Sequence, residues 1–188
     1  GGGEKRNVVR CSVCRLEFVY PFVNNSGSQT SSITAPSYID AMKSRYETVQ
    51  PLIMKRAVRR LELYTKLLNK RPTHVLEIGC GPGWMVQAFT KLGIKATGIE
   101  VNEELVQTAS ALGADVKQAD ICYVSPTDFP ACDVVCASQT LEHILTPRLA
   151  LWKMSSLLQP GGIIHIDVPN ADSWGARVRG VYHGRYRW

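Results

Sequence analysis

The chain is 188 residues long, 45% hydrophobic and 20% charged, with a formal net charge of +6. Those figures fit a globular protein with room for one cored domain and a small appendage. No apolar run approaches the roughly 20 residues that a membrane-spanning helix needs, and no apolar segment follows the opening Gly1–Arg6 as a secretory signal would require. A cytoplasmic location without a membrane partner is therefore expected. The charge is uneven: residues 1–72 hold 13 Lys/Arg against 5 Asp/Glu, residues 73–176 hold 5 against 11, and the last twelve add four arginines. A nucleic-acid binder gathers its basic groups on one face. Here they lie in the flanks and read as solvated helix faces, so nucleic acid is not the expected partner.

Three segments are expected. The first, residues 1–23, carries Cys11 and Cys14 in a C-x-x-C between short strand-like runs. Such a turn can present two thiolates to zinc, but a structural zinc needs four ligands, and neither a second pair nor a nearby His is visible. Two reduced thiols on a turn is the preferred reading, half a zinc site the alternative. The other four cysteines, Cys80, Cys122, Cys132 and Cys136, read as small core hydrophobes in a reducing compartment. The second segment, residues 24–50, joins a Ser/Thr/Asn/Gly-rich linker to a short helix, Tyr38–Gln50, that stops before Pro51. The third, residues 51–188, opens with Pro51 at the start of a new helix, where its missing N–H is harmless. Ile53, Met54, Ala57, Val58, Leu61, Tyr64, Leu67 and Leu68 follow a helical period. Arg56, Arg59, Arg60 and Lys66 fall largely off that stripe.

The rest of the chain is organised around Val75-Leu76-Glu77-Ile78-Gly79-Cys80-Gly81-Pro82-Gly83. Alternating apolar residues, three glycines and a helical pattern from Trp84 to Leu92 make a strand, a tight turn and a helix start. A dinucleotide-binding G-x-G-x-x-G would place its third glycine where Trp84 stands, and no phosphate-loop G-x-x-x-x-G-K-[ST] is present. Gly93 ends the helix. Ala96–Glu100 is the second strand, closed by Glu100 17 residues past Gly83. A carboxylate there can accept hydrogen bonds from both hydroxyls of a ribose. Asn102 caps the next helix, which Gly113 ends. Asp115–Ala119 is a short third strand, followed by Asp120 and Ile121. Asp133–Ala137 is the fourth, running into Ser138-Gln139-Thr140-Leu141-Glu142-His143-Ile144. Thr146-Pro147 opens a helix to about Leu158, Gln159–Gly162 turns, and Ile163–Val168 is the fifth strand, with His165 on a sheet face.

The Glu-x-Gly-x-Gly-x-Gly loop resembles motif I of the class I S-adenosylmethionine-dependent methyltransferases. Leu141-Glu142-His143-Ile144 and the Leu-Gln-Pro-Gly-Gly turn resemble their small-molecule branch, which includes the ubiquinone-biosynthesis O-methyltransferases. The resemblance spans roughly residues 40–188. It implies an α/β, Rossmann-like fold: a mostly parallel sheet with helices on both faces. It also implies S-adenosylmethionine as cofactor and an oxygen of a small molecule as methyl acceptor. By the same resemblance Gly79, Cys80, Gly81 and Gly83 hold the methionine end and Glu77 organises its amino group. Glu100 takes the ribose with Val101 beside it in the cofactor site, and Asp120 and Ile121 take the adenine unless Asp120 only makes a loop turn. Ser138 and Gln139 lie toward the sulfonium, and Tyr46 is either a cap on the pocket or, the preferred reading, a packed aromatic. His143 is either a general base toward the acceptor hydroxyl or, with Glu142, a brace for its loop. Cys11 and Cys14 resemble the second half of a small zinc ribbon, and residues 171–188 an acceptor loop. The family's C-terminal antiparallel hairpin finds no counterpart, so a chain truncated at both ends is expected, or a homo-oligomer covering the fifth strand's edge. Two rivals stay open: a protein that binds the cofactor without activity, and a nucleic-acid methyltransferase.

Overall fold

The structure is a computed structural model that describes residues 7–13, 17–20 and 36–170. Two compact units are distinguished, one of residues 33–169 and one formed by residues 1–32 with 170–188. In the smaller unit, β1 (Asn7–Arg10) and β2 (Glu17–Tyr20) make an antiparallel ladder that pairs Asn7 with Tyr20 and Arg10 with Glu17. Cys11 follows β1 and is half-buried. Cys14, the linker residues 24–35 and the tail residues 171–188 lie outside the described residues.

The larger unit begins with α1 (Pro36–Leu68), followed by β3 (His74–Ile78), α2 (Trp84–Lys91), β4 (Lys95–Glu100) and α3 (Glu103–Ala111). Then come β5 (Val116–Gln118), β6 (Cys132–Ser138), α4 (Pro147–Ser156) and β7 (Leu158–Asp167). Two 3-10 turns, Pro126–Asp128 and Leu141–His143, flank β6. The five strands pair in parallel in the order β5-β4-β3-β6-β7. Buried runs on the central strands are what a two-sided parallel sheet demands. Side chains alternate across it. Val75, Val134 and Cys136 join a cluster with Ala57, Leu61 and Tyr64 of α1, Phe89 of α2 and Ala109 of α3. Leu76, Ile78, Val135 and Ala137 join the opposite cluster with Ala150 and Met154 of α4, Ile121 and Phe129. Helices therefore cover both faces, and the fold is the Rossmann-like α/β sheet that the sequence predicts.

Several local expectations hold. Gly93 and Gly113 follow the ends of α2 and α3 with φ of 75° each, and Asn102 Oδ1 accepts from the amide of Leu105. Others are corrected. No helix starts at Pro51; α1 runs through it for 33 residues. A proline removes one helical N–H, and a long helix buried along one side tolerates that loss where a short one would not. Thr146 precedes α4 but caps nothing with its side chain; its hydroxyl sits 3.4 Å from Cys122 Sγ instead. The helix ends at Ser156, and β7 begins at Leu158 rather than Ile163. The expected turn is a bulge inside that strand: Cys132 pairs with Leu158 and Val134 with Ile163, so Gln159–Gly162 loops out of the ladder. Within the described residues β7 is an edge of the sheet.

Candidate functional site

The chain leaves β3 toward β4 and β5 on one side, then crosses back to β6 and β7 on the other. The carboxyl ends of β3 and β6 thus flank the point where strand order reverses, the usual ligand crevice of an open α/β sheet. The glycine loop emerges there. Gly79, Gly81 and Gly83 have φ of 64°, 55° and 70°, a region that side chains resist. A Cβ on Gly79 would fall 2.3 Å from Thr140 Cγ2, and one on Gly83 2.8 Å from the Ala114 Cβ. Gly81 is different: a Cβ there meets nothing within 4 Å. Two glycines serve packing, and the middle one fronts open space.

The loop's amides are largely committed to the protein itself. Gly79 and Cys80 N–H both donate to Ile99 O, at 2.8 and 3.2 Å, and Gly83 N–H donates to Cys80 O at 3.1 Å. Gly81 N–H donates to Glu100 Oε2 at 2.8 Å, and the other carboxylate oxygen accepts from Asn102 N–H at 3.0 Å. Glu100 is thereby fixed at the end of β4, one lone pair used on each oxygen and one remaining. Cys80 turns its Sγ onto Gly98, where a Cβ would meet it at 2.4 Å. Burial pushes that thiol well above its ordinary pKa.

Beneath the loop lies a cluster that periodicity did not reveal. Glu77 is buried on β3, and its Oε2 has no hydrogen-bond partner. Arg60 reaches over from α1 with Nη1 3.9 Å from Glu77 Oε1, and that Nη1 is also buried without a hydrogen bond. Its other nitrogen, Nη2, donates to Ser138 Oγ at 2.6 Å and to Asp167 Oδ2 at the end of β7. Asp167 also takes the Nε2 side of His165 at 3.2 Å, while Nδ1 of that ring lies 2.5 Å from the Tyr64 hydroxyl. Burial pushes Glu77 up to a pKa of about 7 despite the opposing pull of Arg60. Burial works the same way on Asp167, but His165, Arg60 and Ser138 outweigh it and hold that carboxyl below its usual value. Arg60 stands three residues after Ala57 and four before Tyr64, both fully buried. That spacing was the available sign that it points inward.

The remaining candidates are distributed around this crevice. Ser138 takes part in the Arg60 cluster, and Gln139 is exposed with φ of 53°, its N–H donating to Asp167 O at 2.8 Å. Val101 is exposed beside Glu100. Asp120 makes a turn, accepting from Cys122 N–H at 2.8 Å through Oδ1, and Ile121 is buried in the α4-side cluster. His143 sits in the 3-10 turn after β6, half-buried, and burial lowers its pKa. Its neighbour Glu142 has a buried Oε2 without a hydrogen-bond partner, and burial raises its pKa. Tyr46 packs on Trp84 at the start of α2, ring centroids 5.9 Å apart, and donates to Gln87 Oε1. Among the described residues no group of three or more His, Cys, Asp or Glu is gathered to hold a metal.

A family model described as "Methyltransferase domain" matches residues 47–187. The chain belongs to that methyltransferase-domain family. Among curated relatives, a ubiquinone biosynthesis O-methyltransferase of Coxiella burnetii is 27% identical over 117 residues, 59% of this chain and 50% of that protein. The protein of the same name from Xanthomonas oryzae pv. oryzae is 30% identical over 117 residues, 59% of this chain and 49% of its own. The match thus spans about half the length of these relatives. Among solved structures, the plantazolicin methyltransferase BpumL in complex with SAH superposes with a TM-score of 0.66. It is 23% identical over 81% of this chain and 60% of its own, a likeness of fold.

Proposed function

We propose that this chain binds S-adenosylmethionine at the carboxyl ends of β3, β4 and β6 and takes part in methyl transfer to an oxygen of a small molecule. The observation that carries the reading is the buried pair of unmatched groups beneath the glycine loop. Glu77 Oε2 lacks a donor, and Arg60 Nη1 lacks an acceptor. Buried polar atoms without partners are uncommon in folded proteins and ask for an occupant. A free amino acid end offers both complements at once, an ammonium for Glu77 and a carboxylate for Arg60. Gly81 leaves space for approach, Glu100 keeps lone pairs for the two hydroxyls of a ribose, and the exposed Val101 stands beside it. Asp120 and Ile121 are assigned to the adenine side, with Ile121 mostly committed to the core. Ser138 and Gln139 end β6 where the acceptor would meet the cofactor. When bound, the cofactor supplies a methyl group already activated on its sulfonium, so no covalent enzyme intermediate is needed.

The protein's part is alignment and proton handling. Holding two reactants in line supplies a large share of such a rate. Burial lowers the pKa of His143 and so favours its neutral imidazole, the form that can take the proton of an acceptor hydroxyl. Three segments are also proposed: residues 1–23 with Cys11 and Cys14, a linker and lead-in over residues 24–50, and the cofactor-binding domain over residues 51–188. The half-length match supports a second reading, in which the chain binds cofactor but transfers no methyl without further residues. Calorimetry tests the binding claim. Uptake of S-adenosylmethionine with no heat from a nicotinamide dinucleotide is expected; the reverse result overturns it. Transfer of labelled methyl to the small-molecule fraction of a cell extract then separates the two readings. His143→Ala is expected to slow that transfer at unchanged cofactor affinity.

A further inference from the structure

A bilayer need not be crossed to be a partner. Among the described residues no helix is long and apolar enough to span a membrane, yet α1 beyond Pro51 carries an unusual outward face. Leu52, Leu63 and Leu67 are 49%, 44% and 60% exposed. Lys55, Arg56, Arg59 and Lys66 are exposed with them. At about 100° per residue these seven side chains fall within an arc of roughly 120° along about 22 Å of helix. Ala57, Leu61 and Tyr64 occupy the opposite, buried side. The nearest acid, Glu62, sits just outside the arc's border.

In water this face exposes its leucines and carries an excess of positive charge. Three leucines keep large apolar areas in water. Lys55 and Arg56 each lie three or four positions from Arg59 with like charge, while Glu62, three after Arg59 and four before Lys66, supplies two opposite-charge pairs of similar size, so the four cations leave an excess of positive charge on this face. A surface that is anionic outside and apolar just below accommodates both the leucines and the excess charge. Polyanionic nucleic acid would relieve the charge but would press phosphates against the leucines.

We propose that this face docks the protein on bilayers rich in anionic lipid, with the leucines at the acyl boundary and the Lys and Arg heads among the phosphates. The proposal is independent of the cofactor reading, since none of the seven residues belongs to that site. The test is co-sedimentation of the full chain with vesicles of phosphatidylcholine alone, or with phosphatidylglycerol added. Binding is expected only with phosphatidylglycerol and should weaken as salt rises. R56Q/R59Q/K66Q should weaken it roughly a hundredfold, at about 1 kcal/mol per charge. L52Q/L63Q/L67Q should also weaken it, by at least tenfold. All six substituted positions are exposed, so melting temperature and helical content should match the parent. Failure to bind anionic vesicles, binding that survives either triple variant, or preference for single-stranded RNA over vesicles overturns the proposal.

Discussion

At the amino end of the sheet Asp133 is 1% exposed, and at the carboxyl end Glu77 is 6% exposed, yet the two carboxylates keep opposite company. Asp133 Oδ2 accepts from Thr73 N–H at 2.7 Å, Thr73 Oγ1 at 2.6 Å and His74 N–H at 3.0 Å. Its Oδ1 takes Lys70 Nζ at 2.9 Å and the Gln159 amide. Burial alone would raise its pKa; the Thr73 hydroxyl, Lys70 and the two backbone amides more than reverse that and hold it well below the carboxylate range. Glu77 has one cation at 3.9 Å, a bare oxygen and a pKa near 7. A buried charge with every lone pair met fastens the strand starts together. A buried charge left short is a standing cost to the fold, and such sites are where ligands are expected.

The largest effect should come from breaking the satisfied end. Asp133→Ala strands the Thr73 and His74 amides and leaves Lys70 and Gln159 without their acceptor. A loss of about 3–5 kcal/mol in chemical denaturation is expected, with cofactor affinity of the folded fraction unchanged. A loss below about 1 kcal/mol would show the network to be ornamental. Its pH dependence has a definite sign. The folded pKa is depressed, so Asp133 stabilises above the ordinary carboxylate range and that gain is lost as pH falls through it. Asp133→Asn should therefore show a shallower stability decline below about pH 4 than the parent.

Glu77 should behave in the opposite sense. Its folded pKa is raised from 4.5 to about 7, so the folded state holds the extra proton between those values. Stability should fall as pH rises from about 4.5 to 7 and level off above. Glu77→Gln should flatten that slope and, at pH 8, stabilise the protein by up to about 3 kcal/mol. The same variant should weaken S-adenosylmethionine binding by roughly tenfold to a hundredfold, because the ammonium loses its charged acceptor. In the parent, affinity should drop below pH 7 as Glu77 takes up a proton. A variant that loses stability at pH 8 and binds cofactor normally would dissolve the contrast between the two ends.

The parts legible in the sequence are those whose chemistry is local. Gly93 and Gly113 end helices because they reach positive φ without strain, and Asn102 caps because its side chain bonds three residues on. The alternation through β3 reads directly as two faces of one sheet. What could not be read depends on partners far along the chain. Arg60 looks solvated until Glu77, Ser138 and Asp167 arrive from three strands, the last 107 positions away. Asp133 looks like the first residue of an apolar strand until Thr73 and Lys70 stand beside it. Pro51 obeys a local rule for helix starts, and packing along α1 overrides it. Gln159–Gly162 has the composition of a turn, but whether it ends a strand or bulges within one depends on the register against β6.

The smallest expected effects sharpen the comparison inside the glycine loop itself. Gly79 and Gly81 share the left-handed backbone, so Ala at either pays a strain of about 1–2 kcal/mol. At Gly79 the added carbon also strikes Thr140, whose hydroxyl is tied to Ile78 O and Ser138 O at 3.2 and 3.1 Å. Thr140 cannot yield without releasing the end of β6, so Gly79→Ala should cost about 2 kcal/mol or more in stability. At Gly81 the carbon enters open space, and only that strain of about 1–2 kcal/mol should register in denaturation. If that space is where the cofactor's amino acid end approaches, Gly81→Ala should weaken S-adenosylmethionine binding at least tenfold in calorimetry despite its small effect on folding. Equal cofactor affinity in Gly81→Ala and the parent would mean that the opening above Gly81 is not the route, and would move the binding site away from the glycine loop.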